Sequence, residues 1–263
     1  MEKRMMVNKK LSIGVMVLLT LLFSMPSQAG KQMIAGAGPS TKVVELFVKH
    51  FSKQPAVRHY QFMVPPRSVK HAGGIKASST YVFGRTGRPL NAREKAMNKS
   101  EIVLARIPIA FATGEDAGVS SLTLEQVVAL YQGKIRRWSE VGGSDSPVVL
   151  VGRESTEALF GVLKKVYPAF EKAKFDKVLK KDHQVVTLLK HAEGRGAIGF
   201  GAHPNFSDLN RLQVEGFSAG VAVGLVYDLK NQDHPLVHSA QSYVQTVQWH
   251  SAVRELGLLP PAP

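Results

Sequence analysis

The chain has 263 residues, no cysteine and a formal net charge of +14. The lack of cysteine excludes disulfides, thiolate metal sites and cysteine nucleophiles. The positive charge indicates anionic partners, but the cations are scattered and only two tryptophans are present, which argues against a nucleic-acid surface of clustered cations and aromatic side chains.

The first 29 residues have the pattern of a secretory signal peptide. A basic segment precedes an apolar run over 11–23, and Ser27 and Ala29 supply the small residues of a cleavage site. The alternative is an uncleaved anchor, although the run is shorter than the roughly 20 residues of a membrane span. We predict cleavage after Ala29 and an exported protein, periplasmic or else secreted, that is not a lipoprotein.

The mature chain begins with a short strand, a glycine turn and a helix. Gly36-Ala37-Gly38-Pro39 leads to Ser40 and Thr41, and apolar positions over 42–53 follow helical spacing. Glycine lets the backbone approach a ligand closely, and a helix N-terminus attracts anions. We call residues 36–41 the first glycine turn.

A second segment repeats this pattern. An apolar strand over 148–151 leads through Gly152 to Arg153, Ser155 and Thr156, and an amphipathic helix follows up to Pro168. A fixed cation, two hydroxyls and a helix N-terminus make a socket for a small anion. The alternative is an ordinary N-cap beside a surface arginine. We call residues 153–157 the Arg153 turn.

The other segments alternate between strand and helix patterns. Thr123 and Gln126 form a capping box that predicts a helix over 124–132, and Asn91 caps another helix to about residue 99. Strands are predicted at 57–64, 81–84, 102–112, 196–201 and 220–227, with helices inside 177–192 and 235–257. This alternation indicates an α/β class.

Four segments in order resemble one known family, the phosphate-binding periplasmic receptors of ABC importers. They begin with Gly36-Ala37-Gly38 and Gly73-Gly74-Ile75-Lys76. The most specific runs from Leu122 to Trp138, and the last is Gly196-Ala197-Ile198-Gly199-Phe200. Together these segments span nearly the whole mature chain.

The resemblance implies a two-lobed periplasmic-binding-protein fold of type II-like architecture. Each lobe is expected to be a mostly parallel sheet flanked by helices, with the ligand cleft between the lobes. The expected lobes are 31–112 plus 223–263, and 113–222, with chain crossings near 110–114 and 219–223. Hinge bending would close the lobes on the ligand.

The resemblance also implies which residues bind the anion. Ser40 and Thr41 would donate from the first lobe, and Arg153, Ser155 and Thr156 from the second. His71 falls where the family has a serine pair, with Ser68 the nearest remaining hydroxyl, and Arg85 and Thr86 follow the third strand. The alternatives are that His71 is a loop histidine and that Arg88 pairs with an acid such as Glu94.

Two departures weaken phosphate as the ligand. Family members place a Ser-Asp pair after the third strand, and the aspartate accepts a proton from phosphate. This chain has Thr86-Gly87 there, flanked by Arg85 and Arg88. The family's arginine loop is also shortened at the Arg153 turn, where Glu154 is a candidate acceptor.

The predicted function is capture of a small oxyanion, with inorganic phosphate the first candidate, for an ABC importer or a sensor. We predict a monomer that meets a membrane permease, with no catalytic activity, cofactor, metal site or nucleic-acid partner. One alternative is an accessory or regulatory protein with an altered pocket for sulfate, molybdate or tungstate. Another is an exported phosphohydrolase, for which the usual nucleophile and metal motifs are missing.

Overall fold

The computed structural model describes residues 30–66 and 69–262. The predicted signal peptide and Ser68 lie outside the described residues. The ten described strands are β1 Lys31–Met33, β2 Gln61–Met63, β3 Gly84–Thr86, β4 Lys99–Thr113, β5 Ser121–Thr123, β6 Val149–Arg153, β7 Lys177–Leu179, β8 Ala197–Ala202, β9 Asn210–Glu215 and β10 Gly220–Asp228.

Eight described α-helices pack around these strands. They are α1 Thr41–Phe51, α2 His71–Thr80, α3 Ala92–Ala96, α4 Leu124–Tyr131, α5 Ala158–Val166, α6 Asp182–Lys190, α7 Pro235–Tyr243 and α8 Val247–Glu255. No helix in residues 30–66 and 69–262 is both long and apolar enough to cross a membrane.

The main sheet has the strand order β3-β10-β4-β8-β6-β7, with β9 beside β4 and β5 beside β9. The pairs β6–β8, β6–β7 and β5–β9 are parallel, as is the separate pair β1–β2. The pairs that β4 and β10 make are antiparallel. The pairing is therefore more mixed than expected, because the two strands that link the lobes run against their neighbours.

The two lobes have separate hydrophobic cores. One core gathers α1, α7 and α8 around Phe47 and Trp249, and the other gathers α4, α5 and their strands around Tyr131 and Trp138. Both tryptophans also donate to backbone carbonyls, Trp249 to Leu104 and Trp138 to Gly196, each at 2.8 Å. Burial of these aromatic side chains is a main source of stability for each lobe.

The chain passes between the cores inside two continuous strands. Strand β4 pairs with β10 up to Pro108 and with β8 from Ile109. Ile107 packs against the core around Phe47 and Trp249, whereas Ile109 belongs to the core around Tyr131 and Trp138. On the return crossing, Val221 belongs to the second of these cores and Val223 to the first. The first crossing falls a few residues before the predicted boundary at 112/113, because β4 continues through the junction without a loop.

Several local predictions are confirmed and others need correction. The capping box of Thr123 and Gln126 starts α4 as predicted. Strand β2 is confined to Gln61–Met63, whereas a strand was predicted over 57–64. Strand β3 lies later than the predicted 81–84, since it begins at Gly84, where a Cβ atom would overlap the backbone of Gly74 in α2.

Candidate functional site

A cavity of about 400 Å³ lies between the two lobes, near the N-terminal ends of α1 and α5. It is the candidate ligand cleft. Its lining residues are Pro39, Gly87, Ile107, Glu157, Ala158, Leu159, Asp182, Ala202, Pro204, Asn205 and Val221. None of the predicted site residues within the described ranges is in this lining, although Ser40, Thr86 and Arg153 each adjoin or contact a residue that is.

The first glycine turn forms one wall of the cleft. Gly36 has a φ of 150°, and a Cβ atom there would overlap the carbonyl oxygen of Arg85. Residues Gly38–Ser40 form a 3-10 turn that leads directly into α1. No side-chain hydrogen bond caps α1, and its first turn has no acidic residue, so this helix end remains suited to an anion.

The hydroxyls predicted on this side make internal hydrogen bonds. Ser40 is buried, and its hydroxyl donates to the carbonyl of Ala37 at 3.0 Å. The buried hydroxyl of Thr86 donates to the carbonyl of Gly224 at 3.3 Å. A hydroxyl has one proton to donate, so each must rotate before it can bind an anion. Thr41, at the start of α1, is half-buried.

The side chain of Arg85 stabilises the first glycine turn through hydrogen bonds to backbone carbonyls. Its guanidinium is fully buried and donates to three carbonyls: Ala37 at 3.1 Å, Ile34 at 2.8 Å and Pro65 at 3.2 Å. Burial lowers the pKa of Arg85, and the charge of Glu45 partly opposes this shift. The geometry gives Arg85 a scaffolding position, and Gly87 is the residue that faces the cleft.

The Arg153 turn forms the opposite wall, and its helix begins later than predicted. Ser155 and Thr156 are exposed in a turn. Glu157 is the N-cap of α5, and its Oε2 atom accepts a hydrogen bond from the Phe160 backbone at 3.0 Å. A carboxylate of the chain itself therefore occupies the helix end that was predicted to hold a bound anion.

Arg153 is buried, which excludes the alternative of a surface arginine. It donates to the carbonyl oxygens of Leu179 at 3.1 Å and Lys180 at 2.9 Å, and it forms an ion pair with Asp182. The Oε1 atom of Glu157 lies 3.7 Å from its Nη2 atom. The predicted cation is thus already partnered by two carboxylates that line the cleft.

His71 and Arg88 belong to a polar cluster beside α2 and α3. Arg88 binds both carboxylate oxygens of Glu94 at 2.9 Å, as the alternative for Arg88 predicted. The hydrogen bond from Arg88 lowers the pKa of Glu94 to about 2. The Nε2 atom of His71 lies 3.2 Å from Glu94, and burial, followed by the charge of Arg88, lowers the pKa of His71.

Sequence reasoning missed Glu157 and Asp182. Glutamate is not a favoured N-cap, so the hydroxyls of Ser155 and Thr156 were the stronger signal. Asp182 lies 29 residues from Arg153, and no local pattern joins them. Within the described ranges, no group of three or more metal-ligating side chains comes together.

Comparisons with known proteins identify the family of this chain. A family model described as the PBP superfamily domain matches residues 25–231. The chain belongs to this superfamily. A relative from Borreliella burgdorferi, phosphate-binding protein PstS, is 23% identical over 220 residues, which cover 78% of each chain.

Solved structures share the two-lobed fold of this superfamily member. A putative phosphate ABC transporter substrate-binding protein with bound phosphate, from Clostridium perfringens, matches with a TM-score of 0.59 and 20% identity, over 89% of this chain and all of that one. An ABC-type phosphate transport receptor from Vibrio cholerae matches with a TM-score of 0.56 and 17% identity, over 88% of this chain and all of that one. These relatives are named as binding or transport proteins.

Proposed function

We propose that this protein is an exported receptor that captures a small oxyanion, with inorganic phosphate as the first candidate, for an ABC importer or a sensor. The observation that carries the proposal is the interlobe cavity, which lies between the N-terminal ends of α1 and α5. Relatives that align along most of the chain are named as phosphate-binding proteins, which supports phosphate as the ligand to test first.

The proposed mechanism is binding without bond breaking. The open N-terminus of α1 supplies backbone N–H groups from one lobe, and Arg153, Ser155 and Thr156 supply donors from the other. Thr41 and Ser68 remain proposed donors of the first lobe. Bending at the β4 and β10 crossings would close the lobes, remove water from the anion and present a surface to a membrane permease.

Calorimetry tests the proposal on protein that has been unfolded and refolded to remove carried-over ligand. The titrants are phosphate, arsenate, sulfate, molybdate and tungstate, with chloride as a control for general ionic effects. We expect saturable binding of at least one oxyanion, with phosphate bound most tightly. If none of the five oxyanions binds, the proposal is overturned.

A second candidate is an accessory or regulatory receptor for a different oxyanion. The observation that favours it is the altered cleft, in which Gly87 replaces the acceptor carboxylate while Glu157 and Asp182 line the opposite wall. Tight binding of sulfate, molybdate or tungstate without binding of phosphate would favour this candidate. A phosphomonoester assay with added divalent metals tests the phosphohydrolase alternative, and we expect no turnover.

A further inference from the structure

The cleft is locally negative although the whole chain is strongly basic. Among its described lining residues, the charged side chains are the carboxylates of Glu157 and Asp182. The guanidinium of Arg153 contacts both. One arginine and two carboxylates leave one negative charge in excess at the wall where an anion is proposed to bind.

The two carboxylates are held very differently. Asp182 pairs with Arg153 through one oxygen, and its other oxygen accepts from the Ala202 backbone at 3.0 Å and the Asn205 amide at 2.7 Å. The carboxylate of Glu157 accepts one hydrogen bond, from the Phe160 backbone, and makes a longer approach of 3.7 Å to Arg153. Glu157 is therefore the carboxylate that an incoming ligand can displace.

Glu157 also holds the two groups that an anion would use. It accepts from the first turn of α5, where the helix dipole favours negative charge, and it lies beside the guanidinium of Arg153. An anion bound at this wall must either take over these contacts or share them with a like charge.

We propose that Glu157 is the specificity-determining residue of the cleft, an internal anion that competes with the ligand and selects against highly charged anions. This inference rests on the proposed function. Most other lining residues are apolar, among them Ile107, Leu159 and Val221. Such a lining lowers the local dielectric and strengthens repulsion between Glu157 and the ligand.

Glu157→Gln tests this role with little change in shape. The amide oxygen can still accept the Phe160 hydrogen bond, so we expect the variant to fold with only a small fall in melting temperature, from the lost charge interactions with Arg153 and the dipole of α5. The matched control is Glu193→Gln, which removes the same charge from a side chain that is 78% exposed and outside the cleft lining.

The ligands are phosphate, sulfate and perchlorate, since the last two are tetrahedral anions of similar shape but different charge. Calorimetry on wild type and both variants gives the affinities. We expect Glu157→Gln to bind more tightly by about tenfold for each unit of ligand charge, so sulfate gains more than perchlorate. Phosphate also gains, while Glu193→Gln matches wild type.

Three results would overturn the inference. Unchanged or weaker phosphate binding by Glu157→Gln would mean that Glu157 does not compete with the ligand. An equal gain in Glu193→Gln would assign the effect to the overall charge of the protein. If neither wild type nor either variant bound any oxyanion, the proposed function would fail together with the inference. The first two results leave the proposed function intact.

Discussion

The first glycine turn and the Arg153 turn share a sequence pattern, but the helices that they lead into are capped differently at the cleft. Both run from a strand through glycine and hydroxyls into a helix. The first leads into α1, which no side chain caps. The second leads into α5, which Glu157 caps beside a buried arginine. One helix end is open to an anion, and the other already holds a carboxylate of the chain.

A helix N-terminus and a nearby arginine therefore do not by themselves define an anion site. The same groups satisfy an internal carboxylate equally well, because the helix dipole and the guanidinium respond to charge and not to its source. The supports of the turns also differ. Arg85 holds the first through neutral carbonyls, whereas Arg153 pairs with carboxylates.

Loss of Arg153 should give the largest effect. Arg153→Ala leaves Asp182 and Glu157 near each other without their cation, and we expect a loss of about 3–5 kcal/mol in the free energy of unfolding. We also expect phosphate affinity to fall at least about tenfold. Chemical denaturation and calorimetry measure the two effects.

The matched control for Arg153 is Arg137→Ala. Arg137 pairs with Asp145 at 2.7 Å, but its side chain is 48% exposed, so its loss should cost about 1 kcal/mol or less. Similar costs for the two variants would contradict the assignment of Arg153 as a buried structural cation.

The first glycine turn should be the more sensitive of the two to backbone change. Gly36→Ala places a Cβ atom against the Arg85 carbonyl at a positive φ, and we expect a loss of about 2–3 kcal/mol in unfolding free energy. Thermal and chemical unfolding check this value.

Gly161→Ala is the control from the helix after the Arg153 turn. Gly161 lies within α5, and a Cβ atom there meets nothing within 4 Å. The change should stabilise the protein by about 0.5–1 kcal/mol, since alanine is the better helix former. If Gly161→Ala lowered the free energy of unfolding, a Cβ atom at this position would meet an unfavourable contact.

A smaller effect than for Arg153 and Gly36 concerns the ion pair between Arg88 and Glu94, which lies beside α2 and α3 and outside the cleft lining. The pKa of Glu94 is about 2, below its ordinary 4.5. A depressed carboxyl pKa stabilises the fold above the ordinary value, and this contribution is lost as the pH falls from about 4.5 to about 2. We expect Glu94→Gln to cost about 1–2 kcal/mol at neutral pH.

The pH profile separates this ion pair from a general charge effect. Wild type has the higher free energy of unfolding at neutral pH, and its difference from Glu94→Gln should vanish across that acid range. Urea unfolding at a series of pH values measures this difference. Glu154→Gln, at an exposed carboxylate, should run parallel to wild type. A constant difference between Glu94→Gln and wild type at every pH would reject the ion pair as its source.

Much of the fold could be predicted because its signals are local. The Thr123 capping box, the apolar spacing of α1 and the long strand β4 each lie within one stretch of sequence. Strand β9 was missed, since Asn210–Glu215 is exposed at most positions and has only two apolar residues, Leu212 and Val214. Its identity as a strand depends on pairing with β4 and β5.

The sequence predicted which segments lie beside the cleft, but not which of their residues line it. Ser40 and Thr86 belong to segments that reach the cleft, but their hydroxyls turn to backbone carbonyls. A hydroxyl rotates to the best available acceptor, and sequence alone does not show which acceptor is near. Pro39 and Gly87, their immediate neighbours, line the cavity instead.

The alternation of strands and helices and the two turns with glycine and hydroxyls could be predicted from the sequence, because periodicity, capping and glycine geometry act over a few residues. The superfamily was indicated by the resemblance of four segments to a known family. The charge of the cleft, by contrast, depends on the tertiary structure. Arg153 meets Asp182 across 29 residues of chain, and Glu157 reaches back to cap its own helix. Electrostatic interactions depend on distance in space, so the character of this site was settled by folding.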